Sequence, residues 1–310
     1  MQKRVGAFGF ILSMLSLAFG VSAQDRLPVI DMHLHSYDDS SYFVAPDQRG
    51  EMAPPSASAH FDATYASLRE HNIVLGVVSG STSSEEDWLA RDADGRLLRG
   101  FSSSNLGDWN PEAFEALARE GGVDVFGEIG AFYRGMTLAD PLFDPYLKIC
   151  EEYGIPVAYH TGGGPPGITY RGAPNARVDH GNPLHIEDVL VKYPKLKIYL
   201  MHAGEAFYEE AARLMMGYSQ VYADLGVVLW AHPATQYYGE EFLRRAKRFG
   251  ILDRVMFGSD QMVWPHAIKD SIDHLESLDF LAEQDRRDIL YNNAARFLGL
   301  TEEQIAEHHQ

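Results

Sequence analysis

Cysteine is all but missing from this chain. Cys150 is the only one in 310 residues, so no disulfide can form within a single molecule. It falls on the apolar side of a helix expected over PLFDPYLKICEEYG, where it reads as a buried structural thiol and not as a nucleophile. Cations are scarce too. Lys and Arg number 26 against 44 Asp and Glu, a formal charge of −18. A chain that acidic repels phosphate backbones, which argues against nucleic acid as a partner. No low-complexity tract and no shift of composition marks a second domain. No Gly-rich phosphate turn follows the first strand, which disfavours an open nucleotide-binding sheet.

Long apolar runs are confined to the start. Lys3 and Arg4 precede the apolar residues 5–20, and Val21-Ser22-Ala23 is a small-residue cleavage pattern. The run is short for a membrane span, so residues 1–23 are expected to be a secretory signal peptide. No cysteine follows it that would make a lipoprotein. The expected mature chain, 24–310, is then periplasmic or secreted, with no membrane anchor.

Short β-branched or aromatic runs bounded by Gly, Pro or Asn recur along the rest of the chain. They fall at 28–35, 72–80, 99–105, 123–130, 156–162, 196–204, 221–227 and 255–260, the third being the weakest. Amphipathic stretches alternate with them, including HFDATYASLREHN, PEAFEALAREGG, LHIEDVLVKYP and GEEFLRRAKRFG, and two further helical patterns close the chain. Eight strands separated by helices is the count of an α/β protein of one domain, a (β/α)8 or TIM barrel with C-terminal closing helices.

In such a barrel the chemistry sits at the C-terminal strand ends. Five of the expected strands end in metal-capable residues: His33 and His35, Glu128 in GEIG, His160 in YHTG, His202 in MHAGE, and Asp260 in GSD. His33 and His35, at i and i+2, share one face of a strand. Taken singly, each has an ordinary reading as a hydrogen-bonded histidine, a loop carboxylate or a helix cap. Together they would meet in one axial cavity, where they form a donor set for a divalent cation and would otherwise be a costly polar cluster. Zinc is the first candidate and manganese the second, as one or two ions. His60, His71, His274, His308 and His309 lie on or near helices and are expected to be solvated. His180, His185, His232 and His266 fall in loops.

The ordered set DMHLH, GEIG, YHTG, YPKLKIYLMHAG, VYADLG, RVMFGSD and NNAARFLGL resembles the amidohydrolase superfamily. Within it, the resemblance is to the amidohydrolase-related branch of decarboxylases, hydratases and lactonases. It implies a distorted barrel with a mono- or binuclear centre. It implies metal ligation by His33, His35, His160 and Asp260, with His202 either acting on water or binding a second metal. Glu128 matches a fourth-strand position that bridges metals in some relatives. GEIG is also similar to metal-dependent deoxyribonuclease-like barrels, but the chain continues AFYRGM where that group carries acidic residues. Homodimers are common among such relatives.

The expected reaction is hydrolysis of a C–O or C–N bond beside a carbonyl, as in a lactone, ester or amide, with Asp260 and His202 as the catalytic pair. The first alternative is a lyase, a decarboxylase or hydratase of a small carboxylic acid. The second is a secreted metal- or ligand-binding barrel without catalysis. For the small-molecule substrate, Arg134, Arg171 and Arg177 are candidate carboxylate partners. Trp230 and Trp264 are candidate aromatic contacts, with Tyr37, Tyr42, Phe43, Tyr237 and Tyr238 in the same long loops.

Overall fold

A computed structural model describes residues 26–101 and 110–310. The expected signal segment, 1–23, and the end of the expected third strand lie outside the described residues. Eight parallel strands run in sequence order around one sheet: β1 (Val29–His35), β2 (Ile73–Ser79), β3 (Leu97–Phe101), β4 (Val125–Ile129), β5 (Val157–His160), β6 (Ile198–Met201), β7 (Val221–Asp224) and β8 (Val255–Met256). This is a single-domain (β/α)8 barrel. β8 is short, and the ring closes through the chain beyond it. Met32 N donates to Phe257 O (3.0 Å) and Asp260 N to His33 O (2.8 Å).

The connecting helices are α1 (Ala57–Glu70), α2 (Thr82–Arg91), α3 (Pro111–Arg119), α4 (Asp144–Tyr153), α5 (Glu187–Lys192), α6 (Tyr208–Gly217) and α7 (Pro233–Phe249). After β8 come α8 (His266–Ser277), α9 (Glu283–Arg287), a π-helical turn at Asp288–Asn292, α10 (Asn293–Leu298) and α11 (Glu302–His308). None of the described helices is long and apolar enough to cross a membrane. Local chemistry sets the helix starts: Ser56 Oγ accepts from Ala59 N, and Asn110 Oδ1 accepts from Glu112 N with Pro111 in the first turn.

Two apolar layers result from strand alternation. Outward-facing residues such as Leu34, Phe126, Tyr159 and Leu200 pack under the helices. Inward-facing residues such as Ile30, Met32, Val125, Ala158, Tyr199 and Met201 fill the barrel, and Tyr291, Ala294 and Phe297 plug its base. Cys150 is fully buried on α4, and burial pushes its thiol well above the usual range.

Two strands change phase before they reach the top. In β1, Ile30 and Met32 face inward, so strict alternation would send Leu34 inward and both histidines outward. The pairing with β2 instead shifts between Asp31 and Leu34. Leu34 joins the outer layer, and His33 and His35 turn into the barrel. β4 does the same between Phe126 and Ile129, which delivers Glu128 inward while Ile129 packs outside. Such irregularities re-aim side chains next to sites.

Candidate metal centre

The six strand-end residues meet at the top of the barrel. Their donor atoms form three overlapping groups, His33–His35–Glu128, His33–His202–Asp260 and Glu128–His160–His202, each spanning no more than 4.8 Å. Glu128 stands between two sets of imidazoles. Its Oε2 lies 3.7 Å from His33 Nε2 and 3.4 Å from His35 Nε2, and its Oε1 lies 2.6 Å from His160 Nδ1 and 3.7 Å from His202 Nε2. Asp260 completes the first set, with Oδ1 at 3.0 Å from His35 Nε2 and 3.7 Å from His33 Nε2.

Those spacings suit a cation. Donors about 2.1 Å from one tetrahedral ion stand about 3.4 Å from each other, which is the range seen around His33, His35, Glu128 and Asp260. The buried Nε2 of His33 and Oδ1 of Asp260 have no hydrogen-bond partner, a costly state that a shared cation relieves. The second group is tighter. His160 Nδ1 is 3.1 Å from His202 Nε2 as well as 2.6 Å from Glu128 Oε1, which are hydrogen-bond distances. The donor set therefore fits a divalent metal.

Electrostatics follow from burial and mutual charge. Burial opposes a charge on His33, but the Asp260 and Asp224 carboxylates outweigh it and raise its pKa well above the usual value. His202 is raised in the same way, against burial, by Glu128 and Asp260. His160 is lowered, because burial and the neighbouring His202 outweigh its bond to Glu128. Burial would raise both carboxyls, yet the histidines hold Glu128 well below its ordinary range and bring Asp260 to about 2.

A supporting layer fixes the rings. His33 Nδ1 lies 3.0 Å from Asp224 Oδ2, while Asp224 Oδ1 accepts from His202 N and Gly226 N, both at 2.9 Å. Gln261 clamps β1: its Oε1 accepts from His35 N and its Nε2 donates to His35 O, both at 2.9 Å. Asp31 Oδ1 receives His33 N (3.0 Å) and Ser259 N (2.9 Å), and burial raises this carboxyl to about 7. His202 (φ 64°) and Asp260 (φ 49°) both adopt the left-handed backbone that non-glycine residues avoid. Sequence reasoning missed Asp224, although it ends a strand in VYADLG as the other six residues end theirs.

The remaining candidates sit around the rim. Arg134, Arg171 and Arg177 are exposed. Arg171 donates to Pro166 O, and Arg177 Nη1 to Pro174 O and Ala176 O, all within their own loop. Trp230 and Trp264 lie with ring centroids 5.9 Å apart. Their indole N–H groups donate to Ser259 O (2.8 Å) and Ala45 O (3.0 Å), so both tie neighbouring loops together. Tyr42 Oη donates to Pro54 O, Phe43 is exposed beside Trp264, and Tyr237 and Tyr238 pack on each other. His60 and His71 depart from expectation: both are buried, His60 completely, because each falls on the core side of the α1 region. His60 is brought down to about 4, mainly by burial.

Residues 30–300 match the protein family described as Amidohydrolase. A stretch of 137 residues, 39% of this chain, is 26% identical to the protein fluG of Emericella nidulans, and the match covers 16% of that protein. Among solved structures, the chain is similar to a probable 2-pyrone-4,6-dicarboxylic acid hydrolase from Acinetobacter baumannii with citric acid bound. Identity there is 16%, over 88% of this chain and all of that one, with a TM-score of 0.59. A 5-carboxyvanillate decarboxylase from Novosphingobium aromaticivorans with bound manganese is similar at 14% identity, over 89% of this chain and 98% of that one, with a TM-score of 0.57.

Proposed function

Because this chain belongs to the amidohydrolase family, we propose that it is a metal-dependent hydrolase of a small, flat lactone, ester or amide, whose strand-end residues, Glu128 among them, would hold two divalent ions. The observation that carries this reading is the division of the Glu128 carboxylate, Oε2 toward the β1 histidines and Oε1 toward His160 and His202. His33, His35, Asp260 and Glu128 Oε2 form one subsite, and His160, His202 and Glu128 Oε1 the other. The mixed imidazole and carboxylate set favours zinc, with manganese next.

A divalent cation here supplies Lewis acidity toward a carbonyl oxygen and lowers the pKa of water to about 7. The chain's own groups do the rest. Asp260 is ionised, and its Oδ1, unpartnered by hydrogen bonds, receives the proton of the attacking water and passes it to the leaving oxygen or nitrogen. His202, held by Asp224 through its backbone N–H and by Gly226 O at 3.2 Å from Nδ1, keeps Nε2 turned to the reacting side. Gln261 and Asp31 hold β1 so that neither histidine swings away.

Zinc- or manganese-loaded protein should hydrolyse members of a panel of lactones, esters and amides, read as proton release for the first two and as free amine for the last, and lose that activity on chelation. Carbon dioxide release from small carboxylic acids, without hydrolysis, would assign a lyase instead. Metal uptake with no turnover of either panel would leave a binding barrel.

A further inference from the structure

Two phenols stand beside the cluster with no hydrogen-bond partner among the described residues. Tyr37, two residues after His35, has its ring 6.2 Å from that imidazole. Tyr133, in the short 3-10 turn Ala131–Arg134 after β4, has its ring 5.0 Å from His160. His35 and His160 are the imidazoles that flank the two oxygens of Glu128, at 3.4 and 2.6 Å. Each phenol thus lies one imidazole away from the shared carboxylate.

Neither hydroxyl hydrogen-bonds any described residue, and neither is sealed from solvent. Five other partly or fully buried tyrosines differ. The hydroxyls of Tyr42, Tyr65, Tyr193 and Tyr199 donate to Pro54 O, Asp92, Asp144 and Met32 O, and Tyr291 Oη pairs with His308 Nδ1. A packed tyrosine usually finds such a partner. At Tyr37 and Tyr133 no described residue supplies that partner.

Both rings are held in place. Tyr37 is wedged between Tyr42 (6.0 Å), Phe43 (6.1 Å) and the buried His60 (5.7 Å). Tyr133 packs on Phe132 (5.1 Å), and Gly130 makes room for it, since a Cβ there would come within 2.9 Å of the ring. Orientation is therefore fixed before any ligand arrives, which lowers the cost of binding one.

We propose that Tyr37 and Tyr133 are substrate-binding residues that donate to the carbonyl oxygen of a small acyl compound. The inference rests on the hydrolase reading above. A phenol ordinarily titrates at about 10, so both keep their protons at neutral pH. When water adds to the carbonyl carbon, the C=O electron pair moves onto that oxygen. Two fixed neutral donors stabilise the charge that develops there, and no proton leaves either phenol.

The test uses zinc-loaded protein and phenylphosphonate, a flat ring bearing tetrahedral anionic oxygens, with binding followed by calorimetry and zinc by elemental analysis. Tyr37→Phe and Tyr133→Phe should each weaken binding about 10- to 150-fold, the loss of one hydrogen bond to a charged oxygen. Zinc content and Tm should not change. Tyr170→Phe, altering a residue that is 92% exposed, should bind within about twofold of the parent. Binding within about twofold for both phenol variants overturns the proposal. So does loss of zinc in step with loss of binding, which would make the phenols structural. Zinc uptake by the parent without phenylphosphonate binding overturns it as well. Failure of the parent to take up zinc is a separate result, seen before phosphonate is added, and it removes the hydrolase reading itself.

Discussion

Asp224 Oδ2 lies 3.0 Å from His33 Nδ1, and both side chains are fully buried. The contact places a proton on Nδ1 and leaves Nε2 free to ligate. The other Asp224 oxygen is occupied by the His202 and Gly226 N–H groups. In Asp224→Asn, those two donors hold the amide oxygen, so the NH2 must face His33. The imidazole then carries its proton on Nε2, the ligand atom. Zinc affinity should fall about 10- to 100-fold, measured by competition with a chromophoric chelator, with the circular dichroism unchanged.

Gly226 is required by close approach. A Cβ there would sit 2.4 Å from His33 Nδ1 and 3.0 Å from Asp260 Cβ. Gly226→Ala should cost about 1–3 kcal/mol through overpacking and lower metal occupancy, read as a reduced Tm together with elemental analysis.

Metal loading should depend on pH in one direction. His33 and His202 have raised pKa values without metal, so at neutral pH a proton competes with the cation for each ring. Glu128 and Asp260 are depressed and remain ionised there, so they add no dependence. Apparent zinc affinity should rise between about pH 6 and about pH 8, with proton release on binding. Titration of the apoprotein at both values checks it, and equal affinities would contradict it.

Cys150 is sealed inside α4 with its thiol held protonated by burial. Iodoacetamide should leave the native protein unmodified and label it once it is unfolded. Rapid labelling of the native protein would contradict the packing of α4.

Much of this architecture was legible because strand-like runs, turn residues and helical periodicity alternate regularly. β3 was the exception: it begins at Leu97, two residues before the expected 99–105, and 102–105 lie outside the described residues. α2 escaped notice because its apolar stripe is narrow, burying only Ser84, Glu85 and Trp88. The clustering of His33, His35, Glu128, His160, His202 and Asp260 could be anticipated from strand ends alone. The phase shifts that turn His33, His35 and Glu128 inward could not, since alternation in the sequence points them the other way. Asp224 was quoted within VYADLG yet given no role, although asking what orients a ligand histidine would have found it. Tyr133 gives no signal in the sequence, because its unpartnered hydroxyl exists only in the fold.

Metal content per chain, by elemental analysis of protein prepared without chelator and then exposed to zinc, bears most directly on the centre. Close to two ions are expected, falling to about one or fewer in Glu128→Gln, whose amide cannot serve both subsites as a bridging anion. One ion in the parent, unchanged in Glu128→Gln, would contradict the shared carboxylate. No uptake at all would contradict the metal centre.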